Sequence, residues 1–69
     1  MKELVVKQQK LSTGFGKPKL VETVAVEFSN GKVAHLDEED NLYVYDKRSE
    51  LEKALVKQGK TEIVEKAEN

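Results

Sequence analysis

A chain of 69 residues without cysteine is too short for two independent cores, each of which needs roughly 50 to 200 residues, and has neither a disulfide nor a thiolate metal site to reinforce a single one. Its 12 basic and 13 acidic residues leave a formal charge of −1, which removes the general electrostatic case for nucleic acid or anionic lipid. No apolar stretch approaches the ~20 residues that span a bilayer, and Met1-Lys2-Glu3-Leu4 lacks the apolar core of a signal peptide, so the expectation is one domain over 1–69 in the cytoplasm.

Leu4, Val5 and Val6 open a first strand that runs into the polar Lys7-Gln8-Gln9-Lys10 and is expected to fray there. Ser12 to Lys19 reads as a flexible loop, with Gly14 and Gly16 relaxing the backbone and Pro18 removing a ladder donor. From Leu20 to Phe28 alternation is strong, with Val24, Val26 and Phe28 on one face and Thr23, Ala25 and Glu27 on the other. Asn30-Gly31 then marks a tight turn. Its length matters, because a slip of one residue inverts the following strand. A three-residue loop (Ser29, Asn30, Gly31) aligns Val26 with Ala34 and Val24 with Leu36, turning Lys32 and His35 to solvent. Patterning favours it over a two-residue loop, which would set His35 opposite Val26.

Asp37 to Asn41 makes the next turn, and Leu42 to Tyr45 the next strand. Two N-caps compete for the helix that follows: Asp46, or Ser49 in a capping box with Glu52. Leu51, Ala54 and Leu55 form a narrow apolar stripe at helical spacing, Lys57 and Lys60 suit the negative end of the dipole, and Gly59 is a natural stop. Thr61 to Lys66 reads as a last strand, with 67–69 a frayed tail.

This order implies an α+β fold: an antiparallel sheet of four to five strands, in the order β-β-β-β-α-β, with one short helix on one face. The expected core is Leu4, Val6, Val24, Val26, Phe28, Leu36, Leu42, Val44, Leu51, Leu55 and Ile63. One short helix cannot cover both faces. The other would carry Val5, Val21, Val33, Tyr43 and Tyr45, more apolar material than solvent normally meets, and so a dimer face is expected there or at an edge strand.

Catalytic templates find no match. His35 is the single histidine, it falls in a strand, and Ser12, Ser29 and Ser49 sit in turns or caps, so no base stands beside a nucleophile. Asp37-Glu38-Glu39-Asp40-Asn41 is continuous and glycine-free, unlike hard-cation loops that alternate ligands around a central glycine. No enzyme, metal or cofactor is expected. Gly14-Phe15-Gly16-Lys17 fails the Walker pattern, because Pro18 follows the lysine, and the dinucleotide fingerprint, because a third glycine is missing. The same stretch resembles part of the Gly-Phe-Gly-Phe of cold-shock domains, but a second aromatic strand motif is absent and their function does not carry over. A softer alternative is single-stranded nucleic-acid binding, in which Phe15 stacks on a base, Lys17 and Lys19 hold phosphate, and Tyr43 and Tyr45 assist.

Charge is segregated along the chain. Residues 1–20 hold five lysines against Glu3, a net +4, whereas residues 21–52 hold nine acids against Lys32, Lys47 and Arg48, a net −6. Dipole preference accounts for Glu50 and Glu52 at a helix start. Glu22, Glu27, Asp37, Glu38, Glu39, Asp40 and Asp46 are instead read as a negative row along one sheet edge. Such a row would meet a basic DNA-binding protein through the electrostatics that DNA itself uses. A short, cysteine-free, highly charged chain with this Glu22-to-Glu52 pattern resembles the small host-takeover proteins of bacteriophages, some of which mimic DNA. The resemblance implies an inhibitor of a host nucleoid or transcription protein, acting in the host cytoplasm; the homodimer is expected from the small core and the open sheet face. A structural, self-associating module is the remaining alternative.

Overall fold

The computed structural model describes residues 1–10 and 16–67. Five strands and one helix follow in the expected order: β1 (Lys2–Lys10), β2 (Lys19–Glu27), β3 (Val33–Leu36), β4 (Leu42–Tyr45), α1 (Arg48–Val56) and β5 (Gly59–Glu65). The sheet runs β4-β3-β2-β1-β5, with every neighbouring pair antiparallel. β4 and β5 therefore lie at opposite edges and point the same way. Their connection has to cross the sheet, and α1 is the crossover. It covers one face only. No helix among the described residues is long and apolar enough to cross a membrane.

Two hairpins of the same design build the β2-β3-β4 meander. In the first, Phe28 N–H donates to the Lys32 carbonyl at 2.8 Å and Gly31 N–H to the Phe28 carbonyl at 2.9 Å. Ser29, Asn30 and Gly31 thus form the expected loop, with Gly31 at φ 93°, and Val26 pairs with Ala34 and Val24 with Leu36. In the second, Asp37 N–H donates to the Asn41 carbonyl at 3.0 Å and Asp40 N–H to the Asp37 carbonyl at 3.1 Å. Here Asp40 takes the left-handed position, at φ 63°, that glycine takes in the first.

The core lies between α1 and the sheet. Leu4, Val6, Val33 and Leu51 are fully buried, with Val21, Ala25 and Leu55 nearly so, and Tyr45 and Ile63 pack against the cluster. Leu51 and Leu55 are one helical turn apart and supply the buried face of α1.

The expected core is inverted over the meander. Val24 is 53% exposed, Leu42 65% and Val44 62%, while Leu36 and Phe28 are also exposed. Val33, expected on the open face, is buried in the core cluster with Leu51 and Leu55 instead, and Val21, also expected on the open face, is buried on the same side of the sheet. Register explains the inversion. β1 pairs with β2 so that Leu4 stands opposite Ala25 and Val6 opposite Thr23, and directly opposed residues share a face. The odd-numbered residues of β2 therefore join Leu4 and Val6, and the meander carries β3 and β4 with them.

Three smaller expectations are also corrected. β1 holds its pairing to Lys10 and does not fray at Lys7, because β2 and β5 flank it on both sides. The helix N-cap is Lys47, without a side-chain cap bond, so neither Asp46 nor Ser49 caps it. Gly59 opens β5, its φ of 152° placing it where an added Cβ would lie 2.1 Å from the Gln9 carbonyl oxygen. The Ser12 to Phe15 stretch and Glu68-Asn69 lie outside the described residues.

Candidate functional site

Two surfaces of the sheet differ in character. On the uncovered face, Val24 and Val26 of β2, Ala34 and Leu36 of β3, and Leu42 and Val44 of β4 lie side by side in register. No charged residue interrupts this patch. Beyond it, on β1 and β5, the same face turns polar, with Val5 beside Val64 and flanked by Glu3, Lys7, Lys60 and Glu62. Glu22 pairs across with Lys7, and Lys66 Nζ lies 3.1 Å from Glu3 Oε2. Of the residues expected to form the dimer face, only Val5 belongs to this side; Tyr43 and Tyr45 share the helix side with Val33.

The helix-side face carries polar groups at one end. His35 follows Val33 at the strand period and is 2% exposed, contrary to the expected solvent position. Its Nε2 lies 2.8 Å from Thr23 Oγ1, while Nδ1 is buried without a hydrogen-bond partner among the described residues. Burial holds the imidazole below its ordinary pKa, with nearby Asp37 opposing the shift and Lys10 adding to it. Gln8, equally enclosed, directs Nε2 toward the Leu55 carbonyl at 3.4 Å and Thr61 Oγ1 at 3.5 Å. Thr23, His35, Gln8 and Leu55, together with Tyr43, Tyr45 and Ala54, line a cavity of about 180 Å³. Burial raises the Tyr45 phenol pKa, with Tyr43 adding to the shift. Gln8 was legible in principle, because it has the parity of Leu4 and Val6 in β1; His35 was not, because Ala34 and Leu36 give β3 as much apolar character on the other parity as Val33 gives on its own.

An ion pair lies at one end of this face and a small ion-pair network at the other. Lys10 Nζ reaches Glu38 Oε1 at 3.0 Å, spanning from β1 to the β3–β4 turn. At the opposite end, Arg48 in the first turn of α1 donates from Nη2 to Glu27 Oε1 at 2.9 Å and lies 3.8 Å from Glu65 Oε1, which Lys2 approaches at 3.1 Å.

The acidic residues do not converge. Glu22 points to the uncovered face and Glu27 to the helix side, bound to Arg48. Asp37 is occupied by its own turn: Oδ1 accepts the Glu39 and Asn41 N–H groups at 2.9 Å each. Those bonds, with Asn41 foremost, lower its pKa. Glu38 is paired with Lys10, which leaves Glu39 and Asp40 at the hairpin tip. Asp46 sits past the far end of β4. Lys17 and Lys19 are exposed at the start of β2, whereas Phe15 lies outside the described residues.

No group of three or more His, Cys, Asp or Glu side chains suited to a metal occurs among the described residues. Comparison with protein-family profiles, curated proteins and solved structures returns no match for this chain.

Proposed function

We propose that this chain is a non-enzymatic interaction module that associates with a second copy of itself through the uncovered sheet face. The observation that carries the reading is the uninterrupted apolar patch over β2, β3 and β4, with Val24, Leu42 and Val44 all more than half exposed. A sheet with one bare apolar face is stabilised by gaining another layer. Five strands at about 4.8 Å spacing and about 3.3 Å per residue make a face on the order of 500 Å² in projection. Covering it on two copies reaches the roughly 1,000 Å² threshold that a biological interface should clear.

The flank of the patch favours a like partner over a charged one. Glu3, Glu22 and Glu62 are matched by Lys7, Lys60 and Lys66, so the rim selects neither a basic nor an acidic surface. A two-fold arrangement allows each sign to meet its opposite. The acidic row draws less from the geometry, because Glu27, Asp37 and Glu38 are engaged within the fold. For that reason docking on a basic DNA-binding protein is the weaker reading.

Sedimentation equilibrium over a wide concentration range tests the proposal. The expected result is a monomer–dimer equilibrium little changed by salt, since apolar burial is not screened, and shifted to monomer by Leu42→Lys with Val44→Lys. A monomer at every concentration would overturn it, as would a dimer that the double variant leaves intact.

A further inference from the structure

We propose that the cavity between α1 and the β2–β4 half of the sheet is a binding site for a small uncharged heterocycle about the size of a nucleobase. The cavity lies on the face opposite the apolar patch, and its argument does not depend on self-association. Four observations define the occupant. His35 is buried with Nδ1 unpartnered among the described residues, and a buried polar atom left in that state points to a missing partner. Gln8 and Thr23 line the same cavity, their Nε2 and Oγ1 already engaged within the fold, so a ligand meets polar side chains beside His35 as well as apolar ones.

Charge is the third observation. Lys10 and Glu38 at the rim neutralise each other at 3.0 Å, and Asp37 is held by its own turn. Neither sign is left to recognise an ion, which favours a neutral molecule. Size and shape are the fourth. At about 180 Å³ the space falls below the roughly 300 to 1,000 Å³ of pockets for drug-sized ligands, which restricts it to a single ring. The Tyr43 and Tyr45 walls favour flat faces over a flexible polyol.

The Lys10–Glu38 pair stands at the rim of the cavity. Both side chains are only about one-third exposed, at 33% and 35%, and they join two separate strand ends across the rim.

The test uses the full chain and three neutral probes, uracil, cytosine and nicotinamide, each titrated while the His35 ring nitrogens and the Tyr43 and Tyr45 ring protons are followed by NMR. The expected result is a saturable shift at His35 Nδ1 and at both tyrosines for at least one probe. Ala54→Leu, which fills the cavity from the helix wall, should reduce that response at least tenfold while retaining the wild-type strand resonances. His35→Gln should weaken it separately. Absence of a saturable shift at His35 with all three probes would overturn the site, and so would a response unchanged by Ala54→Leu.

Discussion

His35 Nε2 and Thr23 Oγ1 meet at 2.8 Å across β3 and β2, joining two polar side chains on the covered face of the sheet. The ring is held neutral mainly by burial, so its protonation is linked to folding. In the unfolded chain it takes up a proton near the ordinary value of 6.5; the folded chain resists this until lower pH. Between those two pKa values the unfolded state binds more protons, so stability is fully present above about pH 6.5 and falls as pH drops below it. Urea midpoints measured from pH 7.5 to 5 should decline in wild type and decline less in His35→Gln.

Asp40 occupies a left-handed backbone position at φ 63°, which costs an L-residue roughly 1 to 2 kcal/mol relative to glycine. The equivalent place in the first hairpin is Gly31. Asp40→Gly is therefore expected to raise stability by about 0.5 to 1 kcal/mol, after allowing for glycine's greater freedom when unfolded. Thermal or urea denaturation checks the sign.

The two left-handed glycines should respond differently to alanine. At Gly31 nothing lies near an added Cβ, whereas at Gly59 the Gln9 carbonyl oxygen would be 2.1 Å away. Gly31→Ala is expected to cost about 1 kcal/mol from backbone strain alone. Gly59→Ala should cost more than about 2 kcal/mol, because backbone atoms of β1 must also move. Hydrogen exchange should show the loss centred on the β1–β5 ladder.

Arg48 ties the start of α1 to Glu27 and Glu65. Glu27 is the less exposed partner, at 22%, so removing the guanidinium strands a half-buried carboxylate. Arg48→Ala should destabilise by about 1 to 2 kcal/mol, against less than about 1 kcal/mol for Lys66→Ala at the exposed Glu3 pair. Chemical denaturation of both variants makes the comparison.

Truncations on the two faces of the sheet should also separate. Leu51→Ala opens the fully buried centre of the core and is expected to cost about 2 to 5 kcal/mol, comparable with the whole core contribution in a domain this small. Leu42→Ala, at a residue 65% exposed, should cost the monomer less than about 1 kcal/mol while weakening self-association. Circular dichroism and sedimentation measured together distinguish these effects.

Element order, the first hairpin and the α+β class were legible because each rests on local chemistry: alternation in β2, Asn30-Gly31, and the Leu51–Leu55 stripe. Which face the meander turns to the helix was not. That depends on whether even or odd residues of β2 stand opposite Leu4 and Val6, a choice made by the β1–β2 pairing across a long connection with no turn signature. One unread parity moved Val24, Val26, Leu36, Leu42 and Val44 outward together and brought Val33 and His35 in. The acidic run misled for a different reason. Asp37 serves its own turn and Glu38 answers Lys10, a partner distant in sequence.

The position of β1 between β2 and β5 has a kinetic consequence. Its partners on the β5 side are 49 residues away at Lys10 and Gly59 and 61 away at Leu4 and Glu65, so this ladder must close a loop holding most of the polypeptide. The meander can zip from its two short turns, whereas the seam beside β1 waits on a rare encounter. Refolding should therefore be slow for so small a chain, with its rate set by that late closure.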